Sequence, residues 1–139
     1  MSDGFEDRLY ACLASRRWAR AVAAGDDPDA AMDRLADGEW LEAMKAHPRI
    51  GERGDATSQA EQRRALGAQA ATLDALAAEN RRYEERFGHV FLISASGRGA
   101  DEVLAELRRR LGNDPRTELE EAKRELRKIA HLRVAQVAR

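Results

Sequence analysis

Three polar features of this 139-residue chain depart from the pattern of simple helical packing. His47 directly precedes a proline, and an imidazole is the side chain whose charge changes near neutral pH. Ser58 and Glu61 stand three residues apart, and Gln62 follows. Arg133 falls on the apolar stripe of the last predicted helix, where the spacing favours an aliphatic residue. These side chains can transfer protons and bind anionic or amide groups, so each is a candidate for chemistry.

Each feature also has a purely structural interpretation. A histidine before a proline often marks only a turn. Ser58 and Glu61 fit a capping box, in which serine and glutamate side chains accept hydrogen bonds from amides at a helix start, worth about 1 kcal/mol. Arg133 can be a solvated cation that the helix dipole favours near a C-terminus. The residues alone leave both interpretations open.

Helices must position these side chains, because apolar residues recur at spacings of three and four along most of the chain. The spacing predicts one amphipathic helix over residues 5–24. A second helix is predicted to begin at Pro28, with Asp27 as its N-cap, and to be closed by Asp37-Gly38. A third, short helix is predicted around residues 40–46, which places His47 at a helix end or in a loop.

A loop and a long helix are predicted next. Residues 47–57 contain a proline and two glycines and show no helical period, which is typical of a loop. Ser58 then opens a long helix, which Gly88 ends. The inner face of this helix is predicted to carry Leu66, Ala70, Leu73, Ala77, Asn80 and Phe87.

The last third of the chain is predicted to contain a buried extended connector over residues 89–94, a turn over 96–99 and two helices. The first of these helices is ended by residues 112–115, and its arginine run, 108–110, is predicted to lie on the solvated face. Its apolar stripe comprises Val103, Leu104, Leu107 and Leu111, and that of the final helix comprises Leu119, Ala122, Leu126 and Ile129.

The composition predicts one all-α domain over residues 1–139, with 43% apolar and 35% charged residues. The net charge of -1 argues against nucleic-acid and membrane partners. A single cysteine, Cys12, excludes an intrachain disulfide, and with three dispersed histidines it excludes the common zinc frameworks, so no metal is expected. The acidic N-terminus and the lack of a long apolar run predict a cytoplasmic protein.

Ordered blocks along nearly the whole chain resemble the 2-oxo-4-hydroxy-4-carboxy-5-ureidoimidazoline (OHCU) decarboxylase family, whose reaction completes the breakdown of urate to S-allantoin. The blocks are Ser15-Arg16-Arg17-Trp18, His47-Pro48-Arg49-Ile50-Gly51, Ser58-Gln59-Ala60-Glu61-Gln62, Phe87-Gly88-His89-Val90-Phe91-Leu92-Ile93, Ala95-Ser96-Gly97-Arg98, and Asn113-Asp114 with Glu118-Leu119, Ala122, Glu125-Leu126 and Lys128-Ile129-Ala130. Two departures are a short loop between the His-Pro pair and the serine, and His89-Val90 where relatives carry Phe-Pro.

The resemblance implies an all-helical fold, no cofactor, OHCU as the small-molecule substrate and a homodimer. It implies that His47 is the catalytic histidine and that Glu61 and Arg133 are the other polar catalytic residues. The implied substrate-binding residues are Pro48, Ser58, Gln62, Phe87 and the loop Ala95, Ser96, Gly97, Arg98 and Gly99.

Two functions of other classes compete with this interpretation. In a non-catalytic helical interaction domain, the apolar stripes would serve a partner helix and the polar cluster would only cap a helix. An RNA-binding helix would use the run Arg108-Arg109-Arg110 and would bind with a steep salt dependence, although the near-zero net charge argues against it.

Overall fold

The computed structural model describes residues 4–47, 70–94 and 97–137. Within these ranges the chain forms seven α-helices and an extended segment, with no β-strand, so the all-α prediction is confirmed. The helices are α1 Phe5–Cys12, α2 Arg16–Ala23, α3 Pro28–Asp33, α4 Asp37–Met44, α5 Ala70–Phe87, α6 Ala100–Leu111 and α7 Pro115–Val134. None of these helices is long and apolar enough to cross a membrane.

The prediction of one helix over residues 5–24 is wrong, because the chain breaks between α1 and α2. Leu13 is extended, with φ -148° and ψ 117°, and the Ser15 hydroxyl accepts a hydrogen bond from the Trp18 amide at 3.2 Å. A serine side chain satisfies an otherwise unpaired amide at a helix start, which favours a new N-terminus over a continued helix. The apolar spacing continues across the break because both helices pack on the same core.

The starts of α3 and α4 are set by acidic side chains. Pro28 opens α3, and Asp27 caps it by accepting a hydrogen bond from the Ala30 amide at 3.0 Å, as predicted.

The prediction that Asp37-Gly38 closes this helix is wrong, since both residues lie in the first turn of α4. Acidic groups are favoured there by the helix dipole, and Glu39 accepts a hydrogen bond from the Ala36 amide at 3.0 Å.

The predicted inner face of α5 is wrong at one position, because Leu76 and not Ala77 faces the core. Ala77 is exposed, whereas Leu76 and Tyr83 are fully buried. The face that packs inward consists of Leu73, Leu76, Asn80, Tyr83 and Phe87, at helical spacings of three and four. Leu66 and the Ser58 cap lie outside the described residues. The large side chains define the packed face because they bury more apolar area than an alanine can.

The connector over residues 89–94 is not helical, and its burial at Phe91, Leu92 and Ile93 is as predicted. It lies between two hydrophobic clusters. Gly88 ends α5 with φ +80°, a left-handed conformation that glycine adopts without strain. Val90 and Leu92 pack on the cluster built by α1 to α4 and α7, while Phe91 and Ile93 belong to the cluster built by α5 and α6. This alternation is that of a β-strand, so the connector joins the two halves of the core.

The end of α6 contains the largest departure from the sequence prediction. Arg108 and Arg109 are exposed, but Arg110 has only 1% of its surface exposed, so the solvated-face prediction is wrong for this residue. Its Nε donates to the Glu118 carboxylate of α7 at 2.9 Å. Glu118 is fully buried and also accepts a hydrogen bond from the Tyr83 hydroxyl.

Candidate functional site

His47 lies just beyond the C-terminus of α4, as predicted. Its amide donates to the Met44 carbonyl at 3.1 Å, which continues the last turn of the helix, and its side chain is half-buried. Burial disfavours a charged imidazole, and this effect is the main reason that the pKa of His47 falls from 6.5 to about 4. The ring is therefore neutral at pH 7 and can accept a proton.

Arg133 lies in the last turn of α7, 86 residues after His47 in the sequence. Its side chain is exposed, and one guanidinium nitrogen donates to the Ala11 carbonyl of α1 at 3.4 Å. Its positive charge contributes to the lowered pKa of His47. Burial raises the pKa of the Cys12 thiol, and the charge of Arg133 opposes this effect. The fold therefore places the charge of Arg133 where it acts on both His47 and Cys12, although these residues are far apart in the sequence.

Of the other predicted site residues, Phe87, Gly97, Arg98 and Gly99 lie within the described residues. Glu61, with Pro48, Ser58 and Gln62, lies outside the described residues, and so do Ala95 and Ser96. The remainder of the predicted substrate loop leads into α6: Gly97 has φ +78°, Arg98 is half-buried, and Gly99 is the N-cap residue. Phe87 is partly buried and stacks on His89, with ring centroids 6.3 Å apart.

The buried network around Arg110 was not found from the sequence, although a signal was present. Arg110 follows Val103 and Leu107 at spacings of seven and three, and Glu118 precedes Ala122 by four. Both polar residues thus stand at positions where an apolar stripe continues. Burial works against the charge of Arg110, but hydrogen bonding to Glu118 and the nearby negative charges together outweigh it, and the net effect is a raised pKa of the guanidinium.

The described residues contain no cluster of three or more His, Cys, Asp or Glu side chains placed to hold a metal ion. What the described part of the site offers is a neutral imidazole and a nearby guanidinium. Such a pair can exchange a proton with a substrate and bind an oxygen anion.

A family model described as OHCU decarboxylase matches residues 2–135 of the chain. The chain belongs to the OHCU decarboxylase family. The match covers nearly the whole sequence, so it confirms the resemblance that the ordered blocks indicate.

Individual relatives agree with this assignment. The 2-oxo-4-hydroxy-4-carboxy-5-ureidoimidazoline decarboxylase of Haloferax volcanii is 30% identical over 132 residues, which cover 86% of this chain and 76% of that protein. The uric acid degradation bifunctional protein TTL of Arabidopsis thaliana is 39% identical over 108 residues, which cover 71% of this chain. The matched region spans only 33% of the Arabidopsis protein.

Solved structures of similar fold support the same family. A crystal structure of OHCU decarboxylase in the presence of (S)-allantoin is 31% identical and superposes with a TM-score of 0.79, covering 94% of this chain and 96% of that one. A crystal structure of (S)-allantoin synthase is 20% identical, with a TM-score of 0.72, and covers 94% of this chain and 48% of that one. The second structure shows the shared fold alone.

Proposed function

We propose that this chain decarboxylates OHCU to S-allantoin, the last step of urate breakdown. The observation that carries the proposal is the match of the family model to residues 2–135. The charge of Arg133 also acts on His47, and the family resemblance implies that both residues are catalytic. The Haloferax relative is named for this decarboxylase activity, and the Arabidopsis relative is named for uric acid degradation.

The proposed reaction uses an electron sink within the substrate. As the bond to the carboxylate breaks, its electron pair moves toward the adjacent ring C=N group, whose nitrogen takes up a proton from solvent, and carbon dioxide leaves. The hydroxyl on the former carboxylated carbon then gives up its proton as a carbonyl forms, and a proton is delivered to one face of the neighbouring ring carbon. The protein has to orient the substrate, stabilise the moving charge and direct these protons.

The described residues suit these tasks. His47 is neutral at pH 7, so it can take the hydroxyl proton as a general base and return a proton as a general acid. Arg133 offers a planar set of donors to a carboxylate or carbonyl oxygen. Its charge also stabilises negative charge that develops as carbon dioxide leaves.

We assign the remaining roles on the family resemblance. Glu61 completes the catalytic set with His47 and Arg133 and hydrogen-bonds the ureido and ring amide edges. Substrate contacts are proposed for Pro48, Ser58, Gln62, Phe87 and the backbone of the loop Ala95, Ser96, Gly97, Arg98 and Gly99. Each of these assignments is a proposal that single substitutions can test.

The decisive experiment follows freshly generated OHCU, made from urate by urate oxidase and hydroxyisourate hydrolase, in the presence of this chain. We expect faster loss of OHCU than without it and an optically active product. His47→Gln should lower the rate by about 100-fold or more, as removal of a general acid-base does. It should leave the fold intact, because the side chain lies outside both hydrophobic clusters.

The alternative interaction domain gives the opposite result. If the optical trace is the same with and without the chain, the proposed activity is wrong. If His47→Gln is as fast and as stereoselective as the unmodified chain, the assignment of His47 is wrong even though the activity stands.

Two further properties belong to the proposal. The homodimer is implied by the family resemblance, and light scattering of the purified chain measures its mass directly. The cytoplasmic location stays a prediction, which cell fractionation tests.

A further inference from the structure

The extended segment over residues 90–94 leads directly into the proposed substrate loop, 95–99. In extended backbone, the carbonyl of one residue and the amide two residues later point to the same side. Leu92 and Ser94 stand in this relation. Within the described residues no strand pairs with this edge, so its polar groups must find other partners.

Arg110 supplies the first partner. One of its terminal nitrogens donates to the Leu92 carbonyl at 2.7 Å, and the guanidinium carbon lies 4.5 Å from the centroid of the Phe91 ring. The ion pair with Glu118 holds the same guanidinium from the other side. Because both charged residues are buried, this contact attaches the middle of the segment to the core.

Glu125 of α7 supplies the second partner. Its carboxylate accepts a hydrogen bond from the Ser94 amide at 2.9 Å and forms an ion pair with Lys128 at 2.6 Å. Burial raises the pKa of Glu125, but the hydrogen bonds from Lys128 and Ser94, together with the positive charges of Lys128 and Arg110, outweigh burial, and the pKa lies below its ordinary value. Glu125 therefore carries the negative charge that a strong hydrogen bond to an amide favours.

The two partners replace a neighbouring strand. Arg110 holds Leu92, and Glu125 holds Ser94, the last described residue before the loop. At the other side of the loop, the start of α6 is fixed by the buried side chain of Ala100. Of these three attachments, only the bond from Ser94 to Glu125 depends on a side chain that is not in the core.

We propose that Glu125 is a positioning residue for the decarboxylation, which acts by fixing the Ser94 amide and thereby the entry of the substrate loop. This inference rests on the proposed function, because the loop is assigned to the substrate there. Glu125 acts on the reaction through the Ser94 backbone, at the point where the proposed substrate loop begins.

The test compares three variants that separate the hydrogen bond from the ion pair. Glu125→Ala removes both, Glu125→Gln keeps an oxygen that can accept from the Ser94 amide, and Lys128→Ala removes the ion pair alone. We expect Glu125→Ala to lower kcat/KM about 10-fold, mainly through a higher KM, because a displaced loop loses its contacts with the substrate. Glu125→Gln and Lys128→Ala should remain within about 2-fold of the unmodified chain.

Hydrogen exchange at the Ser94 amide gives a readout that needs no substrate. Glu125→Ala should speed this exchange about 10-fold, whereas the other two variants should leave it nearly unchanged. Equal kcat/KM in Glu125→Ala and the unmodified chain would overturn the inference. A loss of equal size in Lys128→Ala would also overturn it, because the ion pair would then be responsible.

The failure of this inference can be told apart from the failure of the proposed function. If the unmodified chain does not consume OHCU, the proposed function is wrong, and the positioning role falls with it, whatever the exchange data show. If the unmodified chain is active and Glu125→Ala keeps its full kcat/KM, only the positioning role is wrong.

Discussion

Two arginines occupy similar places in the sequence, each in the last turn of an amphipathic helix, yet their environments differ sharply. Arg110 at the end of α6 is buried, and its donors bind Glu118 and the Leu92 carbonyl. Arg133 at the end of α7 is exposed, and the one hydrogen bond found for it within the described residues is a long one, 3.4 Å, to Ala11.

The difference separates an arginine that holds the fold together from one that is available to a ligand. A buried guanidinium must satisfy its donors within the protein, because an unpaired charge in the core costs several kcal/mol. An exposed guanidinium keeps donors for an incoming oxygen. Three predictions test this contrast, in order of decreasing effect.

Replacing the buried arginine should have the largest effect. Arg110→Ala leaves the Glu118 carboxylate buried without its counter-charge, so we expect the free energy of unfolding to fall by about 3–5 kcal/mol. Denaturant unfolding followed by circular dichroism measures this loss. The neighbouring Arg109→Ala is the matched control, since Arg109 is exposed and its ion pairs lie at the surface. We expect it to cost no more than about 1 kcal/mol, and equal losses in the two variants would contradict the contrast.

Replacing the exposed arginine should affect the reaction and spare the fold. Arg133→Ala should lower kcat/KM by about 10- to 100-fold, because a charged hydrogen bond to the substrate is worth about 1.5–3 kcal/mol. The free energy of unfolding should change by less than about 0.5 kcal/mol, as for other surface positions. The assay with freshly generated OHCU and a denaturant series give the two values.

Two further variants sharpen this prediction. Arg133→Lys keeps the charge without the planar fork, so it should recover only part of the lost rate. Arg116→Ala removes an exposed arginine at the other end of the same helix and should leave the rate unchanged. If Arg133→Ala lowered the free energy of unfolding as much as Arg110→Ala does, the role of Arg133 would be structural.

The smallest expected effect concerns the pH dependence of stability. The pKa of His47 is 6.5 in the unfolded chain and about 4 in the folded protein, so the unfolded state binds more protons between these pH values. The free energy of unfolding should therefore fall as the pH drops from about 6.5 to about 4, by about 1–2 kcal/mol for a side chain that is only half-buried.

His47→Gln isolates this contribution, because glutamine does not titrate. The difference in unfolding free energy between this variant and the unmodified chain should change over that pH range and stay constant above pH 7. Arg133→Gln should reduce the change, since the positive charge of Arg133 contributes to the lowered pKa. A pH-independent difference would mean that His47 is not desolvated in the folded protein.

Much of the fold could be predicted from local signals. The start of α3 at Pro28 after the Asp27 cap, the end of α5 at Gly88 and the extended run that follows all depend on the chemistry of a few adjacent residues. The missed break at Ser15 also had a local signal, the N-cap serine. The continuous apolar spacing concealed it, because two helices that pack on one core share that spacing.

The candidate site could be predicted only in part. The position of His47 at the end of α4 follows from the proline after it. Its low pKa and its closeness to Arg133 do not follow from any local pattern, because burial and long-range charges act only after the helices have packed. Glu61 lies outside the described residues, so its role stays a prediction.

The sequence by itself determined the helix boundaries at most places other than the α1–α2 break and the α3–α4 junction, because caps and helix breakers act between residues close in the chain. Its ordered blocks also determined which family the chain belongs to. Only the tertiary structure decided which arginine is buried and which is exposed. An arginine on an apolar stripe is compatible with either state. The choice depends on whether another helix brings a carboxylate to it, as α7 brings Glu118 to Arg110.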